Sequence, residues 1–94
     1  MMKNISLSSK IIVNEDVVSR NLQGEIVLLN LKTNLYCGLD ETGTKIWQML
    51  SDKKQLSDIL DDLTREYNVL ESKCTEDLFN FINLLREKDF IQII

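Results

Sequence analysis

The chain has 94 residues, of which 44% are hydrophobic and 28% are charged, and its formal net charge is −4. This length and composition predict one globular domain spanning residues 1–94 and exclude a disordered chain. Nucleic-acid-binding proteins need clustered basic residues to neutralise phosphates, and the one such cluster here is Lys53-Lys54. We therefore expect no nucleic-acid partner.

The absence of histidine excludes several kinds of chemistry. It removes the usual general base at neutral pH, the usual zinc ligand, and the Ser-His and Cys-His nucleophile pairs. The two cysteines, Cys37 and Cys74, form no CxxC motif, so we interpret them as reduced thiols. We expect no catalytic residues, no metal site and no cofactor.

The beginning of the chain carries no sign of membrane targeting. It lacks the apolar core of a secretory signal, and no stretch of about 18 residues is apolar enough to span a membrane. We therefore expect a cytoplasmic protein without a membrane partner. Residues 1–10 are expected to be loosely ordered, and the apolar segment Ile11–Val13 that follows could lie against a sheet.

The next part of the chain has the pattern of β-strands. Two turn signals, Gln23-Gly24 and Lys32-Thr33-Asn34, separate runs of apolar and β-branched residues. The three predicted strands cover residues 17–21, 25–31 and 35–39. The simplest topology is an antiparallel meander with the third strand at one edge. Because the middle strand is apolar on both faces, one face should meet helices and the other should meet Ile11–Val13 or a partner.

The third strand passes directly into a helix at Asp40. The Asp40 carboxylate can cap this helix by accepting from its free backbone N–H groups, and Glu41 lies near the positive end of the helix dipole. Gly43 inside the first turn costs about 1 kcal/mol relative to alanine, which suggests that another backbone or a large ring approaches it closely. Trp47, one turn later on the same face, is the expected ring, so both residues are predicted to be structural.

Three helices are predicted after this junction. They cover residues 41–50, Leu56–Tyr67, and a third segment that Ser72 or Thr75 caps and that ends near Lys88. Residues 68–72 are predicted to be a loop, and residues 90–94 an apolar tail that docks on the core. Together these elements predict an α+β fold in which a three-stranded antiparallel sheet is followed by three helices.

The third helix has more apolar surface than a core contact needs. Its core stripe consists of Leu78, Phe81, Ile82 and Leu85. Leu84 and Phe79 widen the apolar arc to roughly 220°, well beyond what a helix on a small domain requires. Two interpretations remain open: the helix is wedged between the sheet and the tail, or one flank lines an exposed groove. That flank would run from Asp77 past Phe81 and Leu84 to Lys88.

An edge strand beside an apolar helix flank is suited to binding an extended peptide. Free backbone groups on an edge strand can accept a peptide as an added strand. Each ladder hydrogen bond contributes about 0.5–1.5 kcal/mol net, which the cost of ordering a peptide residue, about 1–2 kcal/mol, roughly cancels. Two or three buried apolar side chains, at about 1.5–3 kcal/mol each, would therefore set the affinity.

A run of residues at the strand–helix junction, from Tyr36 to Trp47, follows the pattern Tyr-x-Gly-Leu-Asp-x-x-Gly-x-x-Ile-Trp. Together with the order of the elements, this run resembles the PqqD-like family over about residues 17–92. The resemblance implies a small winged-helix domain that recognises the leader of a ribosomally made precursor peptide and presents it to a modifying enzyme. The run is most similar to the free-standing recognition proteins of lasso-peptide pathways.

The resemblance also implies where the leader binds, as a strand beside the third strand and against the third helix. The predicted peptide-binding residues are Leu35, Tyr36, Cys37, Asp77, Phe81, Leu84 and Lys88. The first three would pair through their backbones, Phe81 and Leu84 would form an apolar floor, and the two charged residues would read polar or charged leader positions. The implied partners are the precursor leader, a cysteine protease that removes it, and an ATP-dependent cyclase, or a radical-SAM enzyme in a related pathway.

Three other functions fit parts of the same sequence. A DNA-binding winged helix shares the architecture but needs a basic recognition helix. The second predicted helix has only Arg65 as a basic residue, and the third has only Lys73, Arg86 and Lys88. An enzyme would need convergent groups, whereas Asp61-Asp62 are adjacent on a helix and therefore splayed. A dimerisation module would pair the third strand with a second copy, so a homodimer is possible and would compete with a leader for the same edge.

Overall fold

The computed structural model describes residues 5–67 and 70–94 of the chain. Within these residues it contains five strands and three helices. In chain order they are β1 (Ile11–Val13), β2 (Val17–Leu22), β3 (Glu25–Asn30), β4 (Leu35–Gly38), α1 (Glu41–Ser51), α2 (Leu56–Tyr67), α3 (Glu71–Glu87) and β5 (Ile91–Ile93). The predicted α+β fold, three antiparallel strands followed by three helices, is confirmed.

Strands β2, β3 and β4 form an antiparallel sheet in that order, as the predicted meander requires. The β2–β3 connection is the Gln23-Gly24 turn, in which the two residues have positive φ angles of 56° and 91°. Two-residue hairpins favour such turns because their twist matches that of the flanking strands. Asn34, with a φ of 62°, ends the second turn. β4 is an edge strand with β3 as its one neighbour among the described residues.

The two faces of this sheet differ in what covers them. Ile26 and Leu28 point towards the helices and are buried, with exposed fractions of 6% and 0%. Val27 and Leu29 point the other way and are half-buried. The segment Ile11–Val13, expected as a possible cover for this second face, instead forms β1 and pairs with β5.

β1 and β5 form a second, two-stranded antiparallel sheet that the sequence pattern did not predict. The expected docking of the apolar tail agrees with the burial of Phe90 and Ile91, which are 0% and 1% exposed. The tail docks as a strand, however, with Ile93 opposite Ile11. Strands of three residues are too short to show a periodic pattern, and nearly the whole sequence separates the two partners.

α1 begins at the predicted residue, whereas α3 does not. The Oδ1 atom of Asp40 accepts a hydrogen bond from the Gly43 N–H at 2.7 Å, so Asp40 is the N-cap of α1. α3 begins at Glu71, and the predicted caps Ser72 and Thr75 lie inside it. The Thr75 hydroxyl donates to the Glu71 carbonyl at 2.8 Å. The predicted cap was wrong because a threonine hydroxyl bonds equally well to the preceding turn of a helix.

Two segments predicted to be irregular lie partly outside the described residues. In the predicted loop 68–72, the first two residues are outside them and the last two belong to α3. In the predicted loose segment 1–10, the first four residues are outside them, and a turn follows in which the Ser9 N–H donates to the Ser6 carbonyl at 3.0 Å.

One hydrophobic core joins the helices to the inner face of the sheet. Its buried helical residues are Ile46, Trp47 and Leu50 from α1, Leu56, Ile59, Leu60 and Leu63 from α2, and Cys74, Leu78, Ile82 and Leu85 from α3. Trp47 is 4% exposed and packs in this core. Among the described residues, no helix combines the length and the apolar character needed to cross a membrane.

Candidate peptide-binding site

The backbone of β4 faces two directions. Just beyond the β3–β4 ladder, the Leu39 N–H donates to the Ile26 carbonyl at 2.8 Å, which marks these residues as a hydrogen-bonded pair. Hydrogen-bonded and non-hydrogen-bonded pairs alternate along an antiparallel ladder. The next residues of β4 that bond to β3 are therefore Cys37 and then Leu35.

Tyr36 and Gly38 consequently present their N–H and C=O groups to the open edge. Among the described residues, none is hydrogen-bonded to these groups from that side. This register corrects the expectation that Leu35, Tyr36 and Cys37 all offer backbone groups to a peptide, because only Tyr36 of the three does so. The sequence could not show which residues of β4 expose their backbone groups, since a shift of one residue in register exchanges the residues that face β3 with those that face the open edge.

The side chains of β4 alternate in the same way. Tyr36 lies on the outer face and is 70% exposed, while Leu35 at the start of the strand is 43% exposed. Cys37 lies opposite Leu28 on the inner face and is half-buried. Burial raises the pKa of the Cys37 thiol, and the nearby Lys88 ammonium opposes this in part. The thiol is therefore neutral at neutral pH and provides a small apolar surface.

Two observations relate α3 to β4 and to the junction that follows it. The Lys88 charge is near enough to the Cys37 thiol to lower its pKa in part, and the Phe81 ring approaches Gly43 in the first turn of α1. The C-terminal end of α3 is thus next to β4, and its middle is next to the strand–helix junction. We call the surface between them the β4–α3 groove. On its helical side, Asp77, Phe81 and Leu84 of α3 and the C-cap Lys88 fall on one helix face.

The α3 side of the β4–α3 groove is accessible. Leu84 is 40% exposed and Phe81 is half-buried, whereas their neighbours Ile82 and Leu85 are both 0% exposed. The wide apolar arc of α3 thus includes an exposed flank, one of the two interpretations left open by the sequence. From position 77 to position 88 a helix rises about 16 Å, which matches about five residues of extended strand.

The ring that approaches Gly43 belongs to Phe81 and not to Trp47. A Cβ atom at position 43 would lie 3.3 Å from Phe81 Cε1 and 3.3 Å from Asp40 Oδ1. The expectation of a close ring therefore holds, but its identity was wrong. Helical spacing could only nominate a ring within the same helix, whereas the actual ring comes from α3. Gly43 leaves the space that the Phe81 ring occupies at the floor of the groove.

A cleft of about 430 Å³ lies beside the first turn of α1 and shares Asp77 and Phe81 with the β4–α3 groove. Its lining includes Asp40, Gly43, Tyr67, Asp77 and Phe81. The Tyr67 hydroxyl accepts from Thr42 at 3.3 Å, and the Lys45 ammonium lies 5.3 Å from the centre of the Tyr67 ring. A hydrogen bond with Glu66 raises the pKa of Lys45 to about 12. These contacts hold the aromatic wall of the cleft in place.

The two charged residues of the α3 flank have different surroundings. Asp77 forms a hydrogen-bonded ion pair with Lys73 at 3.2 Å. The hydrogen bond raises the pKa of Lys73. The Lys88 charge partly lowers the pKa of the Cys37 thiol. The groove therefore carries a partly neutralised anion at one end and a cation at the other.

Two buried polar side chains, which the sequence pattern did not single out, stabilise the β3–β4 hairpin and its contacts with the helices. Asn30 is 2% exposed, its Oδ1 accepts from two turn N–H groups at 2.9 and 3.2 Å, and its Nδ2 donates to the Asp89 carbonyl at 2.8 Å. Thr44 is 4% exposed and accepts from the Ile26 N–H at 3.0 Å. An asparagine directly before a turn is a recognisable signal, because its side chain can bond the backbone two residues later. Thr44 has no comparable signal.

The chemistry available in the groove is that of backbone pairing, apolar contact and charge. The described residues contain no group of three or more His, Cys, Asp or Glu side chains arranged to hold a metal ion. Cys37 and Cys74 are both free thiols.

Comparisons with known proteins identify the family of this chain. The family model described as Coenzyme PQQ synthesis protein D (PqqD) matches residues 25–91. A solved structure described as "TbiB1 in Complex with the TbiA(beta) Leader Peptide" is 35% identical, with a TM-score of 0.81 over 84% of this chain and 92% of that chain. A second, described as "Lasso peptide synthetase B1 complexed with the leader peptide", shares the fold at 23% identity, with a TM-score of 0.81 over 87% and 96% of the two chains. No curated protein sequence matches this chain. Because the family model spans most of the sequence and the first relative aligns over nearly its whole length, the chain belongs to the PqqD family.

Proposed function

We propose that this protein is a non-catalytic binding protein that captures the leader of a ribosomally synthesised precursor peptide and presents it to a processing enzyme. The observation that carries the proposal is the open edge of β4 next to the accessible flank of α3. The proposal is supported by the two solved relatives, both described with a leader peptide bound. The relative named lasso peptide synthetase B1 favours lasso-peptide maturation as the pathway.

The leader adds to the sheet as a further strand beside β4. Tyr36 and Gly38 each offer one N–H and one C=O group, so the added strand can form up to four ladder hydrogen bonds. These bonds contribute about 0.5–1.5 kcal/mol each and roughly offset the ordering of the leader backbone. The net affinity therefore depends on the side chains that the leader buries.

Alternate side chains of the leader turn towards α3, because successive side chains of a strand point in opposite directions. Phe81 and Leu84 receive apolar side chains, and each one contributes about 1.5–3 kcal/mol when fully buried. Asp77 and Lys88 read polar or charged positions near the two ends of a segment of about five residues. Since their charges are opposite, they favour one direction of the leader along β4.

Presentation of the leader implies a processing enzyme. In a lasso pathway the enzymes are a cysteine protease that removes the leader and an ATP-dependent cyclase, and the alternative is a radical-SAM enzyme of a related pathway. Because ribosomes make the precursor, we place the encounter in the cytoplasm. A second copy of the chain could pair along the same edge of β4, and such a homodimer would compete with the leader.

The substitution Leu84→Asp tests the groove. Leu84 is 40% exposed while the adjacent Leu85 is 0% exposed, so the change alters the groove and spares the core. We expect leader affinity to fall by about a hundredfold or more, because an apolar leader side chain loses its burial and meets a charge. Isothermal titration with the precursor leader measures the affinity, and circular dichroism checks that the domain stays folded.

Leu22→Asp is the matched control. Leu22 is 57% exposed at the end of β2, the opposite edge strand, so we expect native leader affinity. An unchanged affinity of the Leu84→Asp variant would remove the β4–α3 groove as the binding site. Equal losses in both variants would instead indicate a general effect of the added negative charge.

A further inference from the structure

A second cleft lies along β1, apart from the β4–α3 groove. Its volume is about 780 Å³, and it borders residues 10–13, the end of α1 with the turn that follows, and Ile94. None of its lining residues belongs to β4, α2 or α3. We call this cleft the β1 cleft. It is a separate surface from the β4–α3 groove.

β1 has an open edge of its own. At either end of the β1–β5 ladder, at Lys10 and at Asn14, a backbone hydrogen bond of 3.0 Å joins the two strands. Because bonded and non-bonded pairs alternate, the N–H and C=O groups of Ile11 and Val13 point away from β5. Within the part of the chain that the structure describes, no hydrogen bond joins these groups to another segment.

The floor of the β1 cleft is apolar. Leu50 is buried in the core at 4% exposure and Leu7 packs against the core, and both line the cleft. Ile12 and Ile94 add accessible apolar surface, at 45% and 54% exposure. An open strand edge next to apolar side chains is the same combination that β4 and α3 provide, and it suits an extended peptide.

The charge of the β1 cleft differs from that of the β4–α3 groove. Its lining contains Lys10, Lys53 and Lys54, and none of its described lining residues is acidic. In a chain of net charge −4, this is a local excess of positive charge. Lys53 and Lys54 follow the C-terminal end of α1, where the helix dipole favours cations, and Lys54 pairs with Asp62 at 3.5 Å. Lys10 comes from a different segment, so the dipole does not account for the cluster.

We propose that the β1 cleft binds an extended segment of a second protein in which acidic and apolar residues alternate. The segment adds to β1 through the outward backbone groups of Ile11 and Val13. Because side chains alternate along a strand, its apolar residues face the floor of the cleft while its carboxylates face the lysines at the rim. The leader uses a different edge, so both peptides are bound at the same time.

A peptide of about eight residues that alternates glutamate and valine tests the site, and the peptide with lysine in place of glutamate is its charge-reversed control. Backbone amide chemical shifts of the isotope-labelled protein report where each peptide binds. We expect the glutamate peptide to shift the amides of Ile11 and Val13, to leave those of Tyr36 and Gly38 unchanged, and to bind more weakly as salt increases. The lysine peptide should not bind.

The double substitution Lys10→Glu with Lys53→Glu should weaken binding of the glutamate peptide by roughly tenfold and leave leader binding unchanged. The matched control is Arg20→Glu with Lys32→Glu, two exposed cations of the three-stranded sheet and its turn, which should change neither. Equal binding of both peptides, shifts centred on β4, or no binding at millimolar concentration would overturn the proposal. Concentration-dependent shifts of Ile11 and Val13 without peptide would also overturn it, because the occupant would then be a second copy of the chain.

Discussion

The side chain of Asn30 joins the two turns that position β4. Its oxygen accepts from two N–H groups of the β3–β4 turn, and its nitrogen donates to the Asp89 carbonyl in the turn after α3. A buried amide costs free energy unless its donors and acceptors are satisfied. Asn30 is 2% exposed and meets this condition with turns from distant parts of the chain, so it stabilises both.

Replacing Asn30 with alanine should lower the free energy of unfolding by about 2–4 kcal/mol, because three hydrogen bonds of a buried side chain are lost and two turn N–H groups lose their acceptor. Urea denaturation measures the change. Asn21→Ala is the control, since the Asn21 oxygen accepts from the Gly24 N–H at 2.8 Å in an exposed turn. Its loss should stay below about 1 kcal/mol, and equal losses would show that burial of Asn30 has no special role.

At the scale of elements, alternate residues of the four-residue strand β4 direct their backbone groups to β3 and to the open edge. The N–H groups of Leu35 and Cys37 are on the side of β3, and those of Tyr36 and Gly38 face the open edge. Proline has no N–H group, and edge strands tolerate it where that group would face outward. Proline substitutions along β4 therefore distinguish the residues that bond to β3 from those that face the open edge.

Tyr36→Pro should keep the fold and weaken leader binding. Compared with Tyr36→Ala, which removes the same side chain, the proline variant loses one outward donor worth about 0.5–1.5 kcal/mol, or roughly twofold to twelvefold in affinity. Cys37→Pro removes a donor to β3 and should destabilise the domain itself by about 3 kcal/mol. The affinities come from titration of the leader, and the stabilities from thermal unfolding. The reverse pattern, an unfolded Tyr36→Pro and a stable Cys37→Pro, would mean that the opposite set of groups faces outward.

At the scale of the whole molecule, charge separates this protein from DNA-binding domains of similar architecture. The net charge is −4, which repels a polyanion at long range. Two of the cations on the last helices are already paired, Arg65 with Asp62 at 2.8 Å and Lys73 with Asp77 at 3.2 Å. Phosphate contacts would have to displace these carboxylates.

We accordingly expect no retention of a DNA duplex in a gel-shift experiment, even at about 50 mM salt, where phosphate contacts are strongest. The control is the labelled leader peptide, which the same preparation should bind. A DNA shift that weakens steeply with salt would contradict the charge argument and favour a nucleic-acid function.

The features that could be predicted from the sequence have signals within a few neighbouring residues. The Asp40 cap, the Gln23-Gly24 turn and the apolar stripe of Leu56–Tyr67 are of this kind. The excess apolar surface of α3 was visible in the sequence, but whether it was packed or accessible could not be decided there. Such local patterns depend on the fixed geometry of turns and helices.

The features that could not be predicted join residues far apart in the sequence. The pairing of β1 with β5, the approach of Phe81 to Gly43 and the hydrogen bond from Asn30 to the Asp89 carbonyl all depend on how elements pack. No periodicity within one segment reports such a contact. The identity of the backbone groups that β4 exposes could not be predicted either, because it depends on the register with β3.

The carbonyl of Asp89 accepts hydrogen bonds from Asn30, at the end of β3, and from Asn14, just after β1. Asp89 has a φ of 61° and directly follows Lys88 at the end of the β4–α3 groove. A displacement of this carbonyl would therefore disturb hydrogen bonds to both sheets. If a bound leader moves it, the affinity of the β1 cleft for its own ligand changes, and reciprocity requires that ligand to change leader affinity by the same factor.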